Sequence, residues 1–154
     1  MTITKWMAAF AMGSLLLTTA CKKDDNKPSN TQLLTERPWK LTALTSDPAI
    51  DWFGASVTNV YAQLPACVKD DISVFKTNGI VNFDEGTSKC DPNDPQTVSG
   101  LWTFNTDETI LSVTQDGETE SWKVLDLKSG SVKVEYAYVF EGITYTFTAT
   151  YAKQ

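Results

Sequence analysis

The segment GITYTFTATY, residues 142–151, decides the fold. Ile143, Tyr145, Phe147, Ala149 and Tyr151 occupy alternate positions, and Thr144, Thr146, Thr148 and Thr150 fill the gaps. A helix would scatter both sets around its circumference. A strand points successive side chains to opposite faces and sorts them into one apolar and one polar surface. A strand with one apolar face must bury that face against something.

Working outward, the same period recurs. SVKVEYAYV, residues 131–139, sets Val132, Val134, Tyr136 and Tyr138 against Lys133, Glu135 and Ala137. TESWKVLDL carries Trp122 and Val124 on one face, TILSVTQ carries Leu111 and Val113, and TVSGLWTFN carries Val98, Trp102 and Phe104. Gly100 lies within the last of these, where a strand can bend or approach its neighbour closely. IVNFDE, DISVF and WKLTALT (Trp39 to Thr45) bring the total to eight strands. Asn78-Gly79 and Asp116-Gly117 are strong hairpin signals, and Asn105 to Glu108, Lys128 to Gly130 and Glu141-Gly142 are also short turns. Consecutive strands joined by tight turns are antiparallel neighbours. Eight such strands can close into an up-and-down barrel or stack as two sheets; closure removes exposed edges and is the expected solution.

Three segments depart from the pattern. NTQLLTE, residues 30–36, predicts a short helix capped by Asn30, with Leu33 and Leu34 facing inward and Pro38 stopping it. Ser46 to Lys69 is too long for a structureless connector, so Val57 to Leu64 is expected to be helical. Gly86 to Gln96 holds Cys90 and the turn-rich DPNDP.

The first 20 residues read as a bacterial secretion signal. Lys5 precedes an uncharged stretch from Trp6 to Leu17, shorter than the roughly 20 residues a membrane span needs, and small residues lead to Ala20-Cys21. LTTAC resembles the lipobox of bacterial lipoproteins, in which the cysteine becomes the first residue and carries diacylglycerol and an acyl chain such as palmitate. That resemblance implies lipid attachment at Cys21 and anchoring by several chains, each buried CH₂ worth about 0.8 kcal/mol. The alternative is an ordinary signal peptide with a chance cysteine. Residues 21–30 form a polar, flexible tether. Its Lys23-Asp24-Asp25 resembles a signal for the outer face of the outer membrane; the same charges would also serve a merely solvated tether. Residues 31–154 are then one domain.

The chain has 13 Lys and Arg against 19 Asp and Glu, a net charge of −6, and removal of the segment holding Lys5 makes it more acidic. No basic run suits nucleic acid. With no histidine, Ser-His-Asp and Cys-His constellations are excluded. Cys67 and Cys90 are an even pair in an exported chain, where a disulfide is favoured over buried free thiols; two thiolates alone are half a zinc shell, and no metal or cofactor is expected.

The domain resembles the lipocalin-like domain of bacterial lipoproteins. The resemblance is carried by LLTERPWKLTAL (33–44), PACVKDDISVFKTNGIVNFDEG (65–86), KCDPNDPQTVSGLWTF (89–104) and the late meander. The matching positions are Trp39, Cys67, Asp70-Asp71, Phe75, Asn78-Gly79, Cys90, Asp91-Pro92 and Gly100-Leu101-Trp102. It implies an eight-stranded lipocalin-like barrel; with the short N-terminal helix and the one helical connector read from the residues above, the expected fold is all-β.

Trp102, Phe104, Trp122, Tyr136, Tyr138, Tyr145 and Phe147 are predicted to point inward. In a barrel of this size they either fill the interior or line a cavity for one small ligand. Asp51, Trp52 and Phe53 belong either to a sugar- or peptide-binding loop or, as expected here, to a plug over the barrel end. DPNDPQ fails as a calcium loop because Gln96 replaces the glycine and Trp102 the closing glutamate. Asp70-Asp71 and Asp84-Glu85 could pair as glycosidase carboxylates but read as strand-end charges. The expected function is a non-catalytic, outer-membrane-anchored protein that binds a small apolar or amphipathic molecule. The alternative is a filled barrel that docks an envelope protein.

Overall fold

A computed structural model describes residues 27–154; the signal segment, Cys21 and the charged part of the tether lie outside them. Nine strands form one antiparallel sheet: β1 (Trp39–Trp52), β2 (Ala55–Asn59), β3 (Ile72–Phe75), β4 (Ile80–Asp84), β5 (Thr97–Phe104), β6 (Ile110–Gln115), β7 (Glu118–Lys128), β8 (Ser131–Phe140) and β9 (Ile143–Lys153). From β3 to β9 every strand pairs with its successor, and β9 returns to β1. This closes an eight-stranded up-and-down barrel, with β2 added outside on β1. Bulges between Leu41 and Ala43 in β1 and between Val124 and Asp126 in β7 let the sheet curl. Gly100 is required: a Cβ there would meet the Thr114 carbonyl oxygen at 2.6 Å.

One end of the barrel is closed. α1 (Asn30–Thr35) lies across it and buries Leu33 and Leu34. The cap differs from the sequence expectation. Ser29, not Asn30, caps the helix, in a reciprocal box with Gln32. Asn30 is used elsewhere. Its backbone N–H donates to Glu108 Oε2 (2.6 Å), its side-chain amide donates to the Glu108 carbonyl (2.9 Å), and the Thr31 hydroxyl donates to Glu108 Oε1 (2.6 Å). One glutamate in the β5–β6 turn therefore ties the helix to the barrel rim. Beneath α1, Trp39 is buried and donates its indole N–H to the Leu34 carbonyl at 2.8 Å. Phe75, Val81, Trp102, Leu111, Val113, Val132, Val134 and Ala149 complete the core in this half.

The other end is open. The β1–β3 seam holds only two residue pairs, Trp39 with Ser73 and Lys40 with Ile72. The β7–β8 seam ends at Lys123 with Glu135, although both strands run on. Above these points the barrel splits into two facing sheets. Two short helices, α2 (Val60–Gln63) and α3 (Ala66–Lys69), close in on the β1 side, where Val60 is buried. The Cys67–Cys90 disulfide joins α3 to the β4–β5 connector.

The connector after β1 corrects the sequence expectation. The first strand does not end at Thr45 but runs to Trp52, turns at Phe53-Gly54 and returns as β2; the helix expected from Val57 covers only Val60–Gln63. Val57 pairs with Ile50 across this hairpin. The β-branched Val57 and Thr58 favour a strand once a partner edge is present, and β1 supplies one. The expected plug is absent. Phe53 is 98% exposed at the hairpin tip, edge-to-face with Trp52.

Candidate functional site

The two halves of the barrel differ in what fills them. In the closed half, a residual void of about 10 Å³ is bounded by Leu34, Trp39, Phe75, Leu111, Val132 and Val134. That half is packed solid. Above it, at the mouth, lies a cavity of about 270 Å³. Its apolar wall is Leu41, Val68, Phe83, Val98, Trp122 and Tyr151; its polar wall is Asp71, Ser73, Asp84, Glu85 and Gln115. Small-molecule sites begin at about 300 Å³, and this volume falls just short of that, room for a ligand of only a few heavy atoms.

Of the seven side chains predicted to line a pocket, Trp122 alone borders this cavity. Tyr136 and Phe147 stand behind it: Tyr136 packs on Trp122 with centroids 6.0 Å apart, and on Phe147 at 5.4 Å. Trp102 and Phe104 belong to the closed half, where Trp102 packs edge-on between Phe75 and Phe104 and donates its N–H to the Lys76 carbonyl. Tyr138 and Tyr145 face each other across β8 and β9 beyond the barrel's closed part. There Tyr138 is 55% exposed, so it does not point into a closed interior. Strand alternation sets all seven at positions of one face. That face is an interior only as far up as β7 and β8 stay paired.

The polar wall was not legible as a site. The consecutive carboxylates Asp70 and Asp71 part company. Asp70 accepts the Thr87 hydroxyl (2.6 Å) and amide (2.9 Å) and the Ser88 amide (2.9 Å) and hydroxyl (3.0 Å). These donors lower its pKa to about 2, the Thr87 hydroxyl contributing most. Gly86 makes the contact possible, since a Cβ there would fall 2.3 Å from the Asp70 carbonyl oxygen. Asp84 is held ionised in the same way by Thr97, Gln96 and the Gly86 amide. Both are structural anchors of the connector, as strand-end charges should be.

Asp71 is different. Its Oδ1 is shielded from solvent and has no hydrogen-bond partner among the described residues. Desolvation, then the charges of Glu85, Asp70 and Asp84, raise its pKa to about 6. Across the mouth, Glu120 accepts the Trp122 indole N–H at 3.0 Å, placing another carboxylate beside the aromatic floor. Burial, and behind it this charge, lift the Tyr136 phenol to about 12; burial raises Tyr151 as well. The signal that could have found this wall was the run of acids at 70–71 and 84–85 flanking strands β3 and β4. Among the described residues no three His, Cys, Asp or Glu side chains converge to hold a metal ion, and no helix is long and apolar enough to cross a membrane.

Comparison with known proteins gives structural similarity alone. No protein-family profile matches the chain, and no curated protein matches it. Among solved structures it is similar to bovine odorant-binding protein in complex with undecanal, at TM-score 0.45 and 15% identity over 86% of this chain and 77% of that one. The same protein complexed with its natural ligand gives the same values. A deswapped triple mutant of it gives TM-score 0.42 and 16% identity over 76% and 72%. The barrel of the present chain is defined by its own strand pairing.

Proposed function

We propose that this protein is a non-catalytic binding protein that holds one small apolar or amphipathic molecule in the mouth of its barrel, and that Cys21 anchors it by lipid to the outer membrane. The cavity beside Trp122 carries the binding part of this reading, because the lower barrel is packed solid while the mouth is hollow and half apolar. The anchoring part comes from LTTAC and the polar tether. The described chain enters through α1 at the closed end, so the tether would join the domain away from the mouth. Ten tether residues reach at most roughly 35 Å, enough to hold the domain clear of headgroups.

Titration with a fluorescent apolar probe tests the binding. Saturable binding by the wild type, abolished in Val98→Trp, is the expected result; no binding by any apolar probe would overturn it. For the anchor, Cys21→Ser is expected to move the protein from the membrane fraction to the soluble one and to abolish labelling by a radioactive fatty acid. One observation favours a second reading, docking of an envelope protein at the mouth: Phe53, Tyr138, Val139, Phe140 and Ile143 are exposed on the two hairpins that rise from that end.

A further inference from the structure

The mouth of the cavity is acidic on one side and aromatic on the other, and its charges are unbalanced. Asp71, Asp84 and Glu85 line it together, with no Lys or Arg among its lining residues. Lys69, two residues before Asp71, is engaged elsewhere: its ammonium lies 5.2 Å from the centre of the Tyr61 ring and 3.3 Å from the Ala62 carbonyl. Asp70 and Asp84 have their own donors, but Asp71 Oδ1 has none among the described residues. A shielded carboxylate oxygen without a donor is costly, and here its neighbours share its sign. Such an oxygen calls for a cationic or N–H-bearing partner from outside the chain.

We infer that the cavity selects an organic amine: a short apolar chain lying against Phe83, Val98 and Trp122, with its ammonium donating to Asp71 at the mouth. An organic cation is favoured over a metal ion because the carboxylates do not converge as metal ligands among the described residues, and because half of the wall is apolar. The inference rests on the binding function proposed above and adds the ligand's charge.

The groups that bear on the ammonium are Asp71 and Asp70 before β3, Asp84 and Glu85 at the end of β4, Glu120 on β7 and the neutral phenol of Tyr151 on β9. Desolvation and the neighbouring carboxylates raise the pKa of Asp71 to about 6. Amine binding therefore strengthens as pH rises through that value. Binding of a neutral molecule of the same length does not depend on it.

Calorimetric titration of the folded domain with octylamine, octan-1-ol and octanoate tests this. At pH 7.5, octylamine is expected to bind at least roughly tenfold more tightly than octan-1-ol, the scale of one charge-assisted hydrogen bond, and octanoate more weakly than either. At pH 5 the preference for the amine shrinks. Asp71→Asn is expected to bring octylamine within about threefold of octan-1-ol, and saturable octan-1-ol binding by the variant shows that the cavity is intact. Glu85→Gln, which leaves Asp71 in place, keeps most of the preference. Equal binding of amine and alcohol by the wild type would overturn the inference and leave the binding function standing. So would an amine preference that survives Asp71→Asn. Failure of all three probes would overturn both.

Discussion

The indole of Trp122 and the ring of Tyr151 lie stacked, centroids 6.4 Å apart and 15° from parallel, and together they form the partition between the packed and hollow halves of the barrel. Both side chains border the small void below and the cavity above. They come from strands that are not neighbours, β7 and β9, with β8 between. The partition is thus a consequence of barrel curvature and not of a cross-strand pair.

Removing half of this partition should join the two spaces. Trp122→Ala is expected to lower the unfolding free energy by about 3 kcal/mol, the low end for a large aromatic because the ring is only partly buried. It should also shift the cavity's preference to longer chains. Urea denaturation measures the first effect, and a chain-length series of alcohols measures the second.

Asp71 carries a stability signature that is separable from ligand binding. Its folded-state pKa of about 6 lies above the ordinary 3.8. The folded state therefore holds the proton more tightly than the unfolded chain does. The wild type loses stability on this account as pH rises from about 4 to 6, and the loss is complete above 6. Asp71→Asn should match the wild type at pH 4 and exceed it at pH 7.5 by about 1 kcal/mol, a value reduced for solvent screening of a partly exposed group. Urea midpoints at the two pH values check the sign.

Glu108 should behave in the opposite sense. Burial works against its charge, but the Thr31 hydroxyl and the amides of Asn30 and Thr31 outweigh it and lower its pKa. Its contribution is present above the ordinary carboxyl pKa and fades as pH falls through the lowered value. Glu108→Ala is expected to cost about 1 kcal/mol, as loss of a helix-start partner usually does. Faster amide exchange at Leu33 and Leu34 would show that α1 has loosened from the closed end.

The disulfide spans 23 residues of sequence and ties α3 to the connector above the acidic wall. Replacing Cys67 and Cys90 together by serine should lower stability by about 3 kcal/mol on the chain-entropy view. The strands keep their pairing, because the bridge joins connectors and not strands. A loss of strand content in the far-ultraviolet circular dichroism spectrum at ambient temperature would contradict this.

Phe53 holds a left-handed backbone, φ +53°, at the tip of the β1–β2 hairpin with its ring in solvent. A bulky residue there is strained and gains no burial in return. Phe53→Asn is expected to raise stability by about 1 kcal/mol. If the mouth docks a protein through its exposed rings, the same change would weaken that contact while strengthening the fold.

Side-chain alternation made most of the barrel legible from residue types alone. The threonine and aromatic ranks of β9, the Val-Lys-Val-Glu order of β8 and the Asn-Gly and Asp-Gly turns act over a few residues, and the strands they predict are the strands observed. The aromatic ladder was legible as a face but not as a site. Trp102 and Tyr138 obey the same rule, yet one is core and the other looks into solvent. The β1–β2 hairpin was missed because Val57 and Thr58 become a strand only against the extended edge of β1, a partner that local pattern cannot supply.

What the order of residues determined by itself is therefore which surfaces must be hidden: a period of two, turn pairs that force antiparallel neighbours, and two cysteines able to meet. Only the tertiary structure decided where the hiding stops. The β1–β3 and β7–β8 seams part midway, and that leaves a hollow above Trp122 and Tyr151. It also separated Asp70, wrapped in hydroxyl and amide donors, from Asp71, whose shielded Oδ1 has none among the described residues. Alternation is a property of neighbours in the chain. Seam length and hydrogen-bond supply depend on residues far apart in it, which meet only when the sheet has closed.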